Sequence, residues 1–177
     1  MGKWKVFYED WQMECCGTPF AVGDEVSWPL LLIESGDWED EVSKVVGEVA
    51  QVNGVRVLND DSGLTVALHE DPVDQVAPED LGEEKPGDRI RLVGLLSVER
   101  HGAQWPEVTG RVADIHLVSQ EYAETDPASR TWEPVPGTRT LRPVEACPKW
   151  FTEAEPHTQG RHVREAGVLV TLEVPDH

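Results

Sequence analysis

The chain has 177 residues, 39% of them hydrophobic, which is enough for one ordinary domain or two very small ones to bury a real core without disulfide staples. Its 34 acidic residues face 15 lysines and arginines, a formal charge of −19 that repels nucleic-acid phosphates, argues against sequence-independent DNA or RNA binding and attracts a basic partner. No stretch approaches the roughly 20 apolar residues that span a bilayer, and the opening residues lack the apolar run of a signal peptide. The expected setting is therefore cytoplasmic, with no membrane association.

In chain order, Trp4 to Glu9 and then Trp11 to Cys15 alternate bulky and polar side chains, which predicts two half-buried strands, the first with Trp4, Val6 and Tyr8 on one face. Gly17 and Pro19 break the pattern, and Gly23-Asp24 makes a turn into a strand from Val26 to Ile33 in which Pro29 demands an edge or a bulge. After an acidic loop over Glu34 to Glu41, Val45 to Val52 and Val55 to Leu58 form a hairpin around Asn53-Gly54, a strong type I′ turn signal. Leu64 to Leu68 is a further strand. The stretch from Asp71 to Gly87 is rich in acid, proline and glycine and reads as a linker. Strands return at Arg89 to Val98 and Val108 to Val118. Prolines from Glu124 to Pro148 predict an irregular or extended path, Trp150 to His162 has room for one short helix, and Gly167 to Val174 is a closing strand.

Part of the chain matches another part. Residues 23–32, from Gly23-Asp24, align without gaps on 87–96, from Gly87-Asp88; Val46-Gly47-Glu48-Val49 then aligns on Thr109-Gly110-Arg111-Val112, with spacing preserved to within one residue. A Gly-Asp turn, a long strand and a second strand centred on glycine fit a mainly β protein made of small Greek-key barrels, OB-like or SH3-like, with an internally duplicated β-module. The corresponding organisation is a first module over residues 1–70, an acidic linker over 71–86 and a second module over 87–177 that carries the proline-rich segment, all able to pack as one domain. The sequence leaves the oligomeric state open.

Trp11-Gln12-Met13-Glu14-Cys15-Cys16-Gly17-Thr18-Pro19-Phe20, followed by Gly23-Asp24-Glu25-Val26-Ser27-Trp28, resembles the opening of a group of uncharacterised actinobacterial proteins, a domain of unknown function. A looser likeness extends to Glu99-Arg100-His101-Gly102 and Gly110-Arg111-Val112. The resemblance implies a bacterial, cytoplasmic setting and brings no activity, cofactor or catalytic residue.

Six side chains are candidates for binding. Three cysteines, two of them adjacent, make a poor disulfide framework, so reduced thiols are expected, with Cys15 on the face of Trp11 and Met13 and Cys16 near the turn. Trp38, Trp105 and Trp132 fall in polar or proline-rich loops, where an indole either marks a contact surface or pins the loop to the barrel. His101 lies in a loop beside Gly102. Cys16, Cys147, His157 and His162 would be the ligands of a zinc site, but no Cys-x2-Cys knuckle accompanies them, and neither a metal nor another cofactor is expected. Without a nucleophile elbow, a phosphate-cradling loop or a His-Glu-x-x-His helix, no catalytic residue stands out and a non-enzymatic reading leads. These features point to a β-barrel module contacting a protein partner of basic character; the alternatives are a reduced-thiol or zinc-binding protein and an acidic mimic of nucleic acid.

Overall fold

The computed structural model describes residues 2–33, 38, 41–68, 87–100, 103–126, 128, 131–152 and 161–175. Eleven strands and one short helix follow in the order β1 (Gly2–Glu9), α1 (Asp10–Cys16), β2 (Glu25–Trp28), β3 (Leu30–Ile33), β4 (Ser43–Val52), β5 (Val55–Asp60), β6 (Thr65–Leu68), β7 (Arg89–Val98), β8 (Val108–Asp126), β9 (Thr131–Pro134), β10 (Thr140–Val144) and β11 (Arg161–Val174). The mainly β, barrel-forming architecture read from the alternating pattern is what the structure shows.

Five strands close a ring. β4, β5 and β6 form an antiparallel meander around Asn53-Gly54, both at positive φ as a type I′ turn requires. β6 then runs parallel to β3, β3 pairs antiparallel with β7, and β7 returns antiparallel to β4. The result is a five-stranded Greek-key barrel of the OB type.

The same circuit occurs a second time. β8 pairs antiparallel with β11, β11 with β1, β1 runs parallel to β7, β7 meets β3, and β3 continues through Pro29 into β2, which pairs with β8. Register repeats as well as order. Val26 faces Gly110 as Ile90 faces Gly47; Val112 faces Leu172 as Val49 faces Leu58; Trp4 faces Leu172 as Val66 faces Leu58. The two circuits share β3 and β7, and the pair Leu32 with Leu96, equivalent residues in the alignment, lies opposite itself across that shared ladder. This is the pattern of a two-fold axis through the β3–β7 ladder.

The Gly-Asp turns sit at equivalent points. Gly23 and Gly87 have φ of 95° and 96°, which favours glycine. Gly23 N–H donates to Val112 O (2.8 Å) and Val112 N–H to Asp24 O (2.9 Å); Gly87 N–H donates to Val49 O and Val49 N–H to Asp88 O, both at 2.8 Å. Gly47 and Gly110 are also matched. A Cβ on Gly47 would stand 1.8 Å from Asn59 O and one on Gly110 2.8 Å from Glu173 O, so the backbone crossing at each point leaves no room for a side chain.

Each Gly-Asp strand pairs with the glycine-centred strand of the other copy, β2 with β8 and β7 with β4. One strand of the second circuit, β1, comes from the far end of the chain. One continuous core results, containing Val6, Tyr8, Leu32, Val49, Leu58, Val66, Leu96, Val112, Ile115, Val170 and Leu172. Pro29 falls where the β2–β3 run exchanges β8 for β6 along one edge, a place where a missing N–H is tolerated.

One described element differs from the sequence expectation. Residues 10–16 form α1, not a strand, because seven residues are too few to separate a period of 2 from 3.6 and the deciding contacts are tertiary. Met13 is fully buried, Gln12 donates to Glu99 Oε1 (3.2 Å) and accepts from Arg100 N–H (2.7 Å), and Lys149 Nζ donates to the carbonyls of Met13 (2.6 Å) and Gly17 (3.0 Å). An isolated helix this short does not persist in water; burial of one methionine contributes about 1.5–3 kcal/mol toward holding it. Of the span Trp150 to His162, which has room for one short helix, residues 150–152 are non-helical and 161–162 begin β11, and 153–160 lie outside the described residues. The acidic stretch 71–86 also lies outside them.

Candidate functional site

Three features depart from the repeated frame. Where β4 and β5 are joined by two residues, the equivalent β8 and β11 are separated by a long excursion that includes β9 and β10. α1 follows β1, and Trp38 lies in the connection from β3 to β4. All three meet over the outer face of β1, β8 and β11, where they enclose a cleft of about 260 Å³.

Its floor is apolar. Phe7 and Val118 pack with Leu95 and Leu169 in a cluster separate from the main core, and Trp38 covers it with its ring 4.8 Å from that of Phe7. Arg139, from the excursion, lays its guanidinium 3.6 Å from the centre of the Trp38 ring, a cation–π contact that closes this wall. Gln120, buried on β8, fixes the excursion by donating to Val135 O (2.8 Å) and Thr138 Oγ1 (3.0 Å). The segment then runs back to the start of the chain, with Cys147 N–H bonded to Phe20 O at 2.8 Å.

The opposite wall is polar and comes from the β1–α1 junction. Asp10, nearly buried, is ion-paired with Arg164 of β11. Glu9 accepts a 2.5 Å hydrogen bond from the Trp11 indole N–H. Burial pushes the Glu9 carboxyl above the ordinary glutamate value, the Trp11 hydrogen bond and the Arg164 guanidinium act in the opposite direction, and the nearby carboxylates of Asp10 and Glu99 add to the rise. Tyr122 lies between the walls, its phenol also raised by burial. From Tyr122 an aromatic row leads away from the cleft lining: His162 stacks on Tyr122 at 5.8 Å and meets Trp132 at 4.5 Å, and the Arg164 guanidinium lies 6.0 Å from the centre of the Tyr122 ring. Trp11, which lines the cleft, and Trp132, at the end of that aromatic row, are 46% and 37% exposed.

The candidates read from sequence are distributed as follows. Trp38 lines the cleft, while Trp132 and His162 are not in its lining and connect to it through the contact of His162 with Tyr122. Trp105 is a loop clamp whose indole N–H donates to Leu30 O at 3.0 Å. Cys15 and Cys16 lie exposed at the end of α1, joined in a disulfide between neighbours, so the expectation of reduced thiols with Cys15 in the core is corrected: the helix turn points both side chains outward. Cys147 is buried, and loss of solvation pushes its thiol up to about 12, which disfavours the thiolate that a metal or an electrophile would need. His101 and His157 lie outside the described residues. Among those described, no three or more His, Cys, Asp or Glu side chains are grouped to hold a metal.

Sequence reasoning missed Glu9, Asp10, Trp11, Tyr122, Arg139 and Arg164. Asp10 and Arg164 are 154 positions apart, and only the pairing of β1 with β11 brings them together. A pseudo-symmetric frame with one built-up face explains why residues without any motif spacing form the site. No helix among the described residues is long and apolar enough to cross a membrane. No curated protein and no solved structure matches the chain. A family model does match it, over residues 2–174, and the chain belongs to that group, described as a family of unknown function (DUF6578).

Proposed function

We propose that this protein is a non-enzymatic β-barrel binding module whose cleft over β1, β8 and β11 receives part of a protein partner. The observation that carries this reading is the position of the cleft: it is built where the chain departs from its own repeat, with exposed Trp11 in its lining and exposed Trp132 joined to that lining through His162 and Tyr122. Tryptophan, tyrosine and arginine dominate the energetics of protein interfaces because they combine large apolar area with polar tips. At about 260 Å³ the cleft lies below the roughly 300 Å³ where small-molecule pockets begin, which suits a side chain presented by a larger surface. The charge of −19 adds long-range attraction for a basic partner.

The test is site-specific photo-crosslinking. A photoreactive residue at Trp132 is expected to trap a discrete protein adduct, weakened by added salt and lost in Trp11→Ala, while the same probe at Gln51 on the β4–β5 hairpin traps none. Identical labelling from both positions would remove the reading.

A further inference from the structure

We propose that the Cys15–Cys16 pair is a thiol–disulfide exchange site that equilibrates with small thiols and passes its redox state to the cleft wall through α1. The proposal does not depend on what the cleft binds. Both cysteines are exposed, and exchange requires that a thiolate reach a sulfur directly. The third cysteine, Cys147, is 3% exposed, so exchange is confined to the adjacent pair. Lys149 Nζ donates to the carbonyls of Met13 (2.6 Å) and Gly17 (3.0 Å), which sets a cation at the end of the helix beside Cys16. Without it, the carbonyl oxygens gathered there would oppose negative charge on the neighbouring sulfur. Finally, α1 joins the pair to the cleft. Asp10 and Trp11 begin the helix and line the cleft, whereas Cys15 and Cys16 end it, and Trp11 and Cys15 lie one turn apart on the same face.

The chemistry is a two-electron exchange. An incoming thiolate attacks the Cys15 sulfur, the Cys15–Cys16 bond breaks, and Cys16 leaves as a thiolate at the Lys149 end of the helix. A second small thiol then attacks the mixed disulfide, Cys15 leaves, and both protein sulfurs take up protons. One protein disulfide and two thiols thus become one protein dithiol and one small disulfide, and oxidation by a small disulfide retraces the same path. Exposed disulfides are the labile and regulatory ones, while structural disulfides resist the glutathione pool. A helix of seven residues has too few internal hydrogen bonds to absorb a change at one end. Reduction removes the covalent link between its last two residues and frees the turn that follows Trp11, which alters the surroundings of an indole in the cleft lining.

The experiment equilibrates the full-length protein in mixtures of glutathione and glutathione disulfide at constant pH. Samples are quenched with acid and read by alkylation and mass spectrometry, and indole N–H resonances are followed in parallel, with Trp11 and Trp105 assigned by Trp11→Phe and Trp105→Phe variants. The pair is expected to convert reversibly within the range of mixtures while Cys147 stays unlabelled. The Trp11 resonance should move with the same midpoint, and that of Trp105, pinned to Leu30 O, should stay in place as a check of folding. In the double variant Cys15→Ser, Cys16→Ser the Trp11 signal should not respond to the mixtures. Lys149→Met should slow reduction by roughly twofold to fivefold, the effect of one charge at a helix end, and Lys149→Arg should restore the rate. A pair that stays disulfide-bonded in reduced glutathione until the chain unfolds, or that stays as thiols in glutathione disulfide, would overturn the exchange site. Full conversion with Trp11 unmoved would overturn its link to the cleft.

Discussion

Glycine 47 and glutamate 9 show what single residues do in this molecule. At Gly47 the backbone of Asn59 approaches so closely that any Cβ collides with a carbonyl oxygen, which cannot rotate away as a side chain can. Gly47→Ala is therefore expected to lower stability by about 1–3 kcal/mol or more, whereas Gly110→Ala, with a 2.8 Å approach, should cost less. Urea denaturation of the two variants checks the order. Glu9 works in the opposite sense. Its folded-state pKa is raised, so the folded protein holds this proton more tightly than the unfolded chain, and stability falls as pH rises from the ordinary glutamate value, about 4.3, through the folded value. Glu9→Gln should consequently be more stable than the parent at neutral pH and equal to it below the unfolded value; denaturation midpoints at several pH values read this directly. Cys147 supplies a third case. After reduction of the protein at pH 8, with a thiol at about 12, roughly one molecule in ten thousand carries the thiolate, so alkylation of Cys147 should wait on unfolding while exposed Cys15 and Cys16 react promptly.

At the scale of elements, the contrast is between the two connections that the repeat makes equivalent. Asn53-Gly54 closes one hairpin, and the excursion after β8 takes the place of that turn in the other circuit while building one wall of the cleft. Replacing residues 124–160 by Asn-Gly should therefore leave a cooperatively folding β protein that lacks the cleft. It should also be less stable, because the excursion contributes Cys147, Val144 and Phe151 to the core. Far-UV circular dichroism with a preserved β spectrum, together with loss of Trp132-dependent crosslinking in a chain probed at Trp11 instead, is the expected outcome. Loss of the β spectrum would show that the excursion is part of the frame. α1 belongs to the same scale: its position is fixed by Glu99, Arg100 and Lys149, none of which is local to it.

For the whole molecule, the exchange of strands between copies matters most. β7 completes the circuit of β4, β5 and β6, while β2 and β1 complete that of β8 and β11. Division of the chain into modules 1–70 and 87–177 would place β1 and β2 apart from the strands they pair with. We accordingly expect that fragments 1–76 and 77–177 fail to fold alone and recover a β spectrum as a 1:1 complex when mixed. Independent cooperative folding of either fragment, seen by thermal melting, would sink the interlocked arrangement as an account of stability.

The sequence by itself determined strands at 4–9, 26–33, 45–52, 55–58, 64–68, 89–98, 108–118 and 167–174, the Asn53-Gly54 turn and the matched Gly-Asp corners. Those features depend on period-2 alternation and on positive φ, which are written in neighbouring residues. It did not show that β11 and β1 complete the second copy, since Leu172 and Trp4 have no sequence likeness to Leu58 and Val66 beyond being apolar, and one of them comes from the opposite end of the chain. Nor did it show α1 or the cleft. Only the tertiary structure decided these, because a seven-residue helix takes its stability from distant partners, and a site made of Glu9, Trp11, Tyr122, Arg139 and Arg164 exists only after strands more than a hundred residues apart have paired.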